Sequence, residues 1–277
     1  VRDYSGFGYN GTLGGGYVSQ MPEWVENCKV GGCYRFRYSE HDALWTQCSY
    51  NFTTNFTIEA WINSAGQNTW AKIVSKKDSW WLEIDSFYTD KIKFAVRNVT
   101  GGQGEVLSTA PIQLNRWYHI VGTYNGSVLK LYVNGVLNNS VSFSGKINQS
   151  SYTLTIGDVA SNVFANKFDG LIDELRIYNV SLTPEQVYQR YIETKDGYTN
   201  NNTIVASMTH GGENWTCQVT ATDGTSESET NNSNTVYINH PPIQTIPFIN
   251  GSITGNTDIV LSGENVTCYN QSTSDAD

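Results

Sequence analysis

The sequence predicts an all-β chain organised as a two-layer sandwich, and three observations carry that prediction. Residues 117–136 read Trp-Tyr-His-Ile-Val-Gly-Thr-Tyr-Asn-Gly-Ser-Val-Leu-Lys-Leu-Tyr-Val-Asn-Gly-Val. Two period-2 runs flank Asn125-Gly126, and a second Asn-Gly pair follows at Asn134-Gly135. Asn-Gly is a strong hairpin signal, because a type I′ turn needs two residues at positive φ. Trp117, His119, Val121 and Thr123 share one face, with Tyr118, Ile120 and Tyr124 on the other; apolar bulk on both faces marks a central strand. Composition agrees: aromatics make up 13% and charged residues only 16%, with 25 Gly. Helical periodicity is confined to one short stretch near residues 183–193.

Taken in order, residues 3–12 and Gly14-Gly15-Gly16 are turn-rich, and Cys28-Lys-Val-Gly-Gly-Cys33 brackets a tight turn leading into Tyr34-Arg35-Phe36. Residues 56–62 alternate cleanly, with Phe56, Ile58, Ala60 and Ile62 inward. Strands are expected at 73–75, 80–84 and 92–96, then at the opening hairpin and 152–156. In 168–178, Leu171, Asp173, Leu175 and Ile177 alternate with Ile172, Glu174, Arg176 and Tyr178. The helix opens on Thr183 as N-cap, with Pro184 at N1 and Glu185 in the first turn, and puts Val187 and Tyr191 on one face.

Charge and patterning narrow the function classes. The net charge of −9 argues against binding a phosphate backbone. No run of about 18 apolar residues exists to cross a membrane as a helix. Val1 is not a start methionine and no leader is visible, so the chain reads as mature or as an excerpt. Asn-X-Ser/Thr occurs at Asn10, Asn51, Asn55, Asn98, Asn125, Asn138, Asn148, Asn179, Asn201, Asn214, Asn231, Asn250, Asn265 and Asn270. The plain reading is a polar β-surface; the sharper one is an extracellular glycoprotein bearing N-linked glycans. Cys28 and Cys33, around Gly-Gly, are expected to close a hairpin disulfide rather than hold zinc, since no second Cys/His pair has zinc spacing. Cys48 is left over, free and buried or paired between chains.

A family resemblance rests on several motifs in order: Asp-Tyr-Ser-Gly-Phe-Gly-Tyr-Asn-Gly-Thr from Asp3, Phe-Thr-Ile-Glu-Ala-Trp-Ile from Phe56, and Trp-Tyr-His-Ile-Val-Gly-Thr-Tyr-Asn-Gly from Trp117. Leu-Tyr-Val-Asn-Gly from Leu131 and Phe-Asp-Gly-Leu-Ile-Asp-Glu-Leu-Arg-Ile-Tyr-Asn from Phe168 complete it. Residues 1–192 resemble the laminin-G-like, concanavalin-A-like jelly-roll family, which implies a sandwich of two curved antiparallel sheets. Members usually begin with a strand ahead of the Asp-Tyr-Ser-Gly element; only Val1-Arg2 precede it here, so that strand is expected to be missing. The resemblance also implies a structural Ca²⁺ held by Asp3 and Asp173 with carbonyls of the early turn, oxygen ligands suited to a hard ion. The competing reading has Asp3 capping its own turn and Asp173 pairing with Arg176 or a lysine.

Beyond the helix the composition shifts to Thr, Asn and Ser, and Gly-Glu-Asn-Trp-Thr-Cys217 is echoed by Gly-Glu-Asn-Val-Thr-Cys268. Residues 193–240 resemble the C-terminal half of an immunoglobulin-like repeat and 241–277 the N-terminal half of the next, with His240-Pro241-Pro242 as linker. The order is reversed relative to a complete repeat. Each half is then expected to be completed by a neighbouring copy, head to tail, and the resemblance implies a Cys217–Cys268 bridge across the sheets. The competing reading is one self-contained sandwich in permuted order. Such repeats are similar to those of archaeal and bacterial surface proteins.

Catalysis finds little support. Glu83 and Asp85 share one strand face, as glycoside hydrolase acids do, but nothing completes the set, and a solvated strand face is expected. His41, His119, His210 and His240 are scattered, so the chain is read as a non-enzyme. Sugar-stacking aromatics are available at Trp70, Trp80, Trp81 and Tyr88, though Trp80 and Trp81 point to opposite faces and core packing is the expected role of most of the four. The leading expectation is a glycosylated, adhesive subunit of a cell-surface stalk or filament. The alternative is a secreted carbohydrate-binding module of a larger protein.

Overall fold

The computed structural model describes residues 1, 8–46, 51–66, 70–85, 89–160, 166–197, 208–209, 211–219, 229–238, 243–244, 248–251, 266–269 and 273–274. The chain divides into two compact units, Val1–Thr203 and Ile204–Asp277.

The first unit carries strands β1 (Gly11–Leu13), β2 (Glu23–Val25), β3 (Cys33–Phe36), β4 (Leu44–Thr46), β5 (Phe56–Ser64), β6 (Ala71–Lys76) and β7 (Trp80–Asp85). It continues through β8 (Lys91–Arg97), β9 (Gln103–Leu107), β10 (Trp117–Tyr124), β11 (Val128–Val133), β12 (Val136–Ser142), β13 (Leu154–Ile156) and β14 (Gly170–Tyr178), then helix α1 (Pro184–Thr194). These strands form two seven-stranded antiparallel sheets, in the order β1-β4-β13-β6-β7-β8-β9 for sheet I and β12-β11-β10-β5-β14-β3-β2 for sheet II. That is the two-sheet jelly roll the motifs imply. Val1 exchanges two 2.8 Å backbone hydrogen bonds with Gly11 beside β1.

Alternation explains the core. Phe56, Ile58, Ala60 and Ile62 of β5 point inward, as do Trp80, Leu82 and Ile84 of β7, Phe94 of β8, and Ile120 and Tyr124 of β10. Phe56 sits 5.3 Å from Trp80 and 5.7 Å from Phe94, ring centre to ring centre. Full burial of each such side chain contributes about 1.5–3 kcal/mol. Gly122 shares this inward face, and a Cβ there would lie 2.6 Å from Phe94. The missing side chain is what admits the Phe94 ring.

Two details depart from simple periodicity. Of the first Asn-Gly pair only Gly126 has positive φ, and the Asn125 side chain accepts from the Ser127 and Val128 amides. The two-residue turn with both members at positive φ is Asn134-Gly135. In β14, Asp173 pairs with Trp61 and Arg176 with Glu59, so one extra residue is inserted, and Glu174 sits at φ 49°. This bulge shifts the parity of the strand. Ile172 before it and Leu175 and Ile177 after it pack on the same core, in place of the alternation expected from the sequence.

The outer face of sheet II is covered by α1, which starts on a reciprocal Thr183–Gln186 capping box. Val187 packs on Val121 and Tyr132, and the Tyr191 ring lies 5.9 Å from Trp61 and 5.8 Å from His119. Beneath it, His119 Nε2 is 3.1 Å from Glu59 Oε1, and Tyr178 donates to Glu59 Oε2 at 2.7 Å. Burial alone would raise the Glu59 carboxyl; His119, Arg176 and Tyr178 together hold it below the usual carboxylate range. The sheet therefore stays filled on both sides around β10.

In the second unit β15 (Asn214–Val219) pairs with β16 (Asn231–Tyr237), β17 (Ile243–Gln244) with β20 (Thr273–Ser274), and β18 (Phe248–Gly251) with β19 (Val266–Tyr269). Among the described residues these are three separate two-stranded pairings. Residues 252–265, within the expected half repeat 241–277, lie outside the described residues.

Candidate functional site on the outer face of sheet I

The outer face of sheet I is built from alternate residues of β6, β7, β8 and β9. Trp81, Glu83 and Asp85 stand outward on β7 because Trp80, Leu82 and Ile84 are in the core. Across the ladder, Ser75 pairs with Trp81, and Lys72 with Glu83. Two residues separate Lys72 from Ser75, and a bulge between Lys72 and Val74 keeps both on this face.

An open recess of about 140 Å³ lies here, lined by Lys72, Ser75, Lys77, Asp78, Trp81, Arg97 and Val159. The Trp81 ring has the Lys72 ammonium 5.3 Å and the Arg97 guanidinium 5.4 Å from its centre. Arg97 is oriented by Asp78 at 2.9 Å and by Gln103 at 2.9 Å. Ser75 is fixed by Thr155 at 3.0 Å and the Asp158 carbonyl at 2.9 Å. The Trp81 indole N–H is buried and has no acceptor among the described residues. The recess thus joins an aromatic surface to donors and acceptors that are already oriented.

Glu83 and Asp85 correct the expectation of a solvated strand face. Both are buried, in a charge cluster with Lys72 and Lys93. Glu83 contacts Lys72 directly; Lys93 lies 3.2 Å from Glu83, 3.0 Å from Asp85 and 3.9 Å from Glu105. Burial, then the like charge of Lys93, pushes the Lys72 ammonium down to about 7, and the Asp85 and Glu105 carboxylates oppose that. With Lys93 set between them, the two acids are held as ion-pair partners.

Of the aromatics singled out from sequence, Trp80 is core, Trp81 lines the recess, Trp70 is exposed just before β6, and Tyr88 lies outside the described residues. Lys72, Lys77, Asp78 and Arg97 were not anticipated. The basic pair Lys76-Lys77 before Asp78 was visible, but nothing local says that Arg97 closes over it.

Asp3 lies outside the described residues, so the expected calcium pair rests on Asp173 alone. Asp173 accepts from the Val30 amide at 2.8 Å and the Glu174 amide at 2.8 Å. Burial pushes its carboxyl up to about 6, against the pull of those two amides. Donors facing both oxygens suit a structural tie more than a cation ligand, and Arg176 pairs with Glu174 and Glu59 rather than with Asp173. No group of three or more His, Cys, Asp or Glu among the described residues is placed to share a metal ion.

Cys28 and Cys33 form a disulfide, Cα–Cα 5.8 Å. Cys217 lies on β15 and Cys268 on β19; their side chains, like Cys48, His210 and His240, lie outside the described residues, as do Asn201, Asn265, Asn270 and the side chain of Asn250. Asn10, Asn51, Asn55, Asn125, Asn179, Asn214 and Asn231 are exposed, whereas Asn98, Asn138 and Asn148 are half-buried. The amides of those last three donate to the Ser144 carbonyl, Thr109 and the Asp78 carbonyl respectively.

The profile of one family matches residues 40–188, more than half of the chain; its description is the concanavalin A-like lectin/glucanases superfamily, of laminin-G type. The chain belongs to this family. A search of the curated proteins finds no match. Solved structures with the superfamily sandwich are similar in fold. One is domain 4 of AbnA, a GH43 extracellular arabinanase from Geobacillus stearothermophilus, in complex with arabinotriose: 19% identity, 64% of this chain and 86% of that one, TM-score 0.52. Another is the binding domain of Paraclostridial Mosquitocidal Protein 1, at 15% identity, 96% and 72% coverage, TM-score 0.56. A third is the botulinum neurotoxin serotype G binding domain, at 19% identity, 69% and 48% coverage, TM-score 0.53. No helix among the described residues of this superfamily member is long and apolar enough to cross a membrane.

Proposed function

We propose that this chain is a carbohydrate-binding module of a larger secreted protein, with the recess beside Trp81 as its sugar site. The observation that carries the reading is Trp81 itself. It is an outward, half-buried indole flanked by the Asp78–Arg97 pair. Sugar rings present C–H faces that stack on indoles and hydroxyls that need oriented donors and acceptors. The fold shared with a domain solved on arabinotriose is consistent with this. No catalytic step is assigned, because Glu83 and Asp85 are held by lysines. The test is a glycan array followed by calorimetry on the wild type, on Trp81→Ala and on Trp24→Ala, an exposed tryptophan of β2 in the other sheet. Binding lost in the first variant and kept in the second supports the reading; a blank array defeats it.

One observation favours the filament reading as a second role. The three two-stranded pairings of Ile204–Asp277 leave Val236 and Tyr237 exposed, and isolated strand pairs are marginal in water. Completion by neighbouring copies of the same chain, head to tail, through half repeats 193–240 and 241–277, would cover them. A cell-surface location, N-linked glycans and an intermolecular Cys217–Cys268 bridge belong to this reading. A monodisperse monomer by light scattering, with that bridge closed inside one chain, counts against it.

A further inference from the structure

We infer that the recess selects saccharides bearing an anionic group, and that Lys77 is the residue that selects them; this rests on the sugar-binding reading above. The lining holds three cations, Lys72, Lys77 and Arg97, against one acid, Asp78, in a chain of net charge −9. Two of the cations are already answered. Lys72 contacts Glu83, and Arg97 is 2.9 Å from Asp78. Lys77 differs: its ammonium lies 4.0 Å over the Tyr152 ring, and no carboxylate partners it among the described residues. Lys77 therefore brings to the lining a positive charge that no carboxylate answers among the described residues. A neutral sugar would use Trp81 and the Asp78–Arg97 pair and leave Lys77 unread. A carboxylate or sulfate ester on the sugar gives Lys77 a charge-assisted hydrogen bond.

The experiment uses the full chain and two matched probe pairs: a tri-uronide with its carboxyl-reduced form, and a sulfated disaccharide with its desulfated form. Calorimetry at low salt is expected to show the anionic member of at least one pair bound about five-fold tighter, the size of one part-exposed ion pair. Which pair responds tells carboxylate from sulfate. Salt at 1 M should erase the preference, since screening then acts within about 3 Å. Lys77→Gln should bring the anionic member down to its neutral partner, and Lys77→Arg should keep the preference. Equal affinities within both pairs, or a preference that survives Lys77→Gln, overturn the inference while leaving the sugar site standing. Blank results with all four probes also overturn it; a blank glycan array defeats the sugar site as well.

Discussion

Lys72 and Ser75 face the same recess although two residues separate them on one extended strand. Strict alternation would send them to opposite faces. The ladder skips one residue of β6 between Lys72 and Val74, with Glu83 opposite the first and Leu82 opposite the second. Ile73 is absorbed as the extra residue and remains fully buried. The bulge thus brings a cation and a hydroxyl to the same aromatic, Trp81, and places Lys72 against Glu83.

That contact gives the first prediction. Glu83 is 2% exposed and answers both Lys72 and Lys93. Glu83→Gln leaves Lys72 without its carboxylate partner while Lys93 keeps Asp85, and breaking a buried pair from one side costs about 3–5 kcal/mol. Urea denaturation should show that loss. Replacing Lys72 and Glu83 together by Met and Leu should recover most of it, because the desolvation of both charges is removed at once.

The division between what the sequence revealed and what it hid follows the same bulges. Phe56, Ile58, Ala60 and Ile62 were legible because burial imposes period 2 on a regular strand. Trp81 was legible as one of two tryptophans facing opposite ways. Lys72 was not, since an inserted residue shifts parity without any local mark, and in β14 the same event moved Leu175 and Ile177 to the core. Glu83 and Asp85 looked solvated because pairing with Lys93 comes from a neighbouring strand, which no local pattern records.

Asp173 makes stability depend on pH. Its carboxyl is raised to about 6 in the folded chain, chiefly by burial, from an ordinary 3.8. Between these values the folded state binds more protons than the unfolded one, so stability falls as pH rises through about 4 to 6 and levels off above. Thermal melts of wild type and Asp173→Asn across that window should diverge. The wild type gains about 3 °C more on acidification than the variant, which cannot take up the proton. The slope is the readout, since Asn also loses one of the two amide contacts and starts from a lower Tm.

Gly122 tests the packing of the two sheets. A Cβ at this position would come 2.6 Å from Phe94, a ring already set 5.7 Å from Phe56. Gly122→Ala should lower stability by about 1–3 kcal/mol, the usual cost of overpacking a filled core. Combining it with Phe94→Leu should be less damaging than the sum of the two single changes, because the smaller side chain yields the space.

The Cys28–Cys33 disulfide closes a turn that reaches across to α1. Within that turn Lys29 donates to the Lys195 carbonyl at 2.5 Å, just past the last turn of the helix, and stands 4.5 Å over the Trp61 ring. Val30 donates to Asp173 at 2.8 Å. A cation at a helix C-terminus meets the negative end of its dipole, so the turn holds the helix as well as its own strands. Opening so short a loop by replacing both cysteines with serine should cost about 2 kcal/mol on the chain-entropy estimate. Hydrogen exchange distinguishes a local from a global effect: amides of residues 190–195 should lose protection more than those of β10, which Glu59, Val187 and Phe94 continue to cover. Equal loss at both places would mean that the turn supports the sandwich as a whole and not the end of α1.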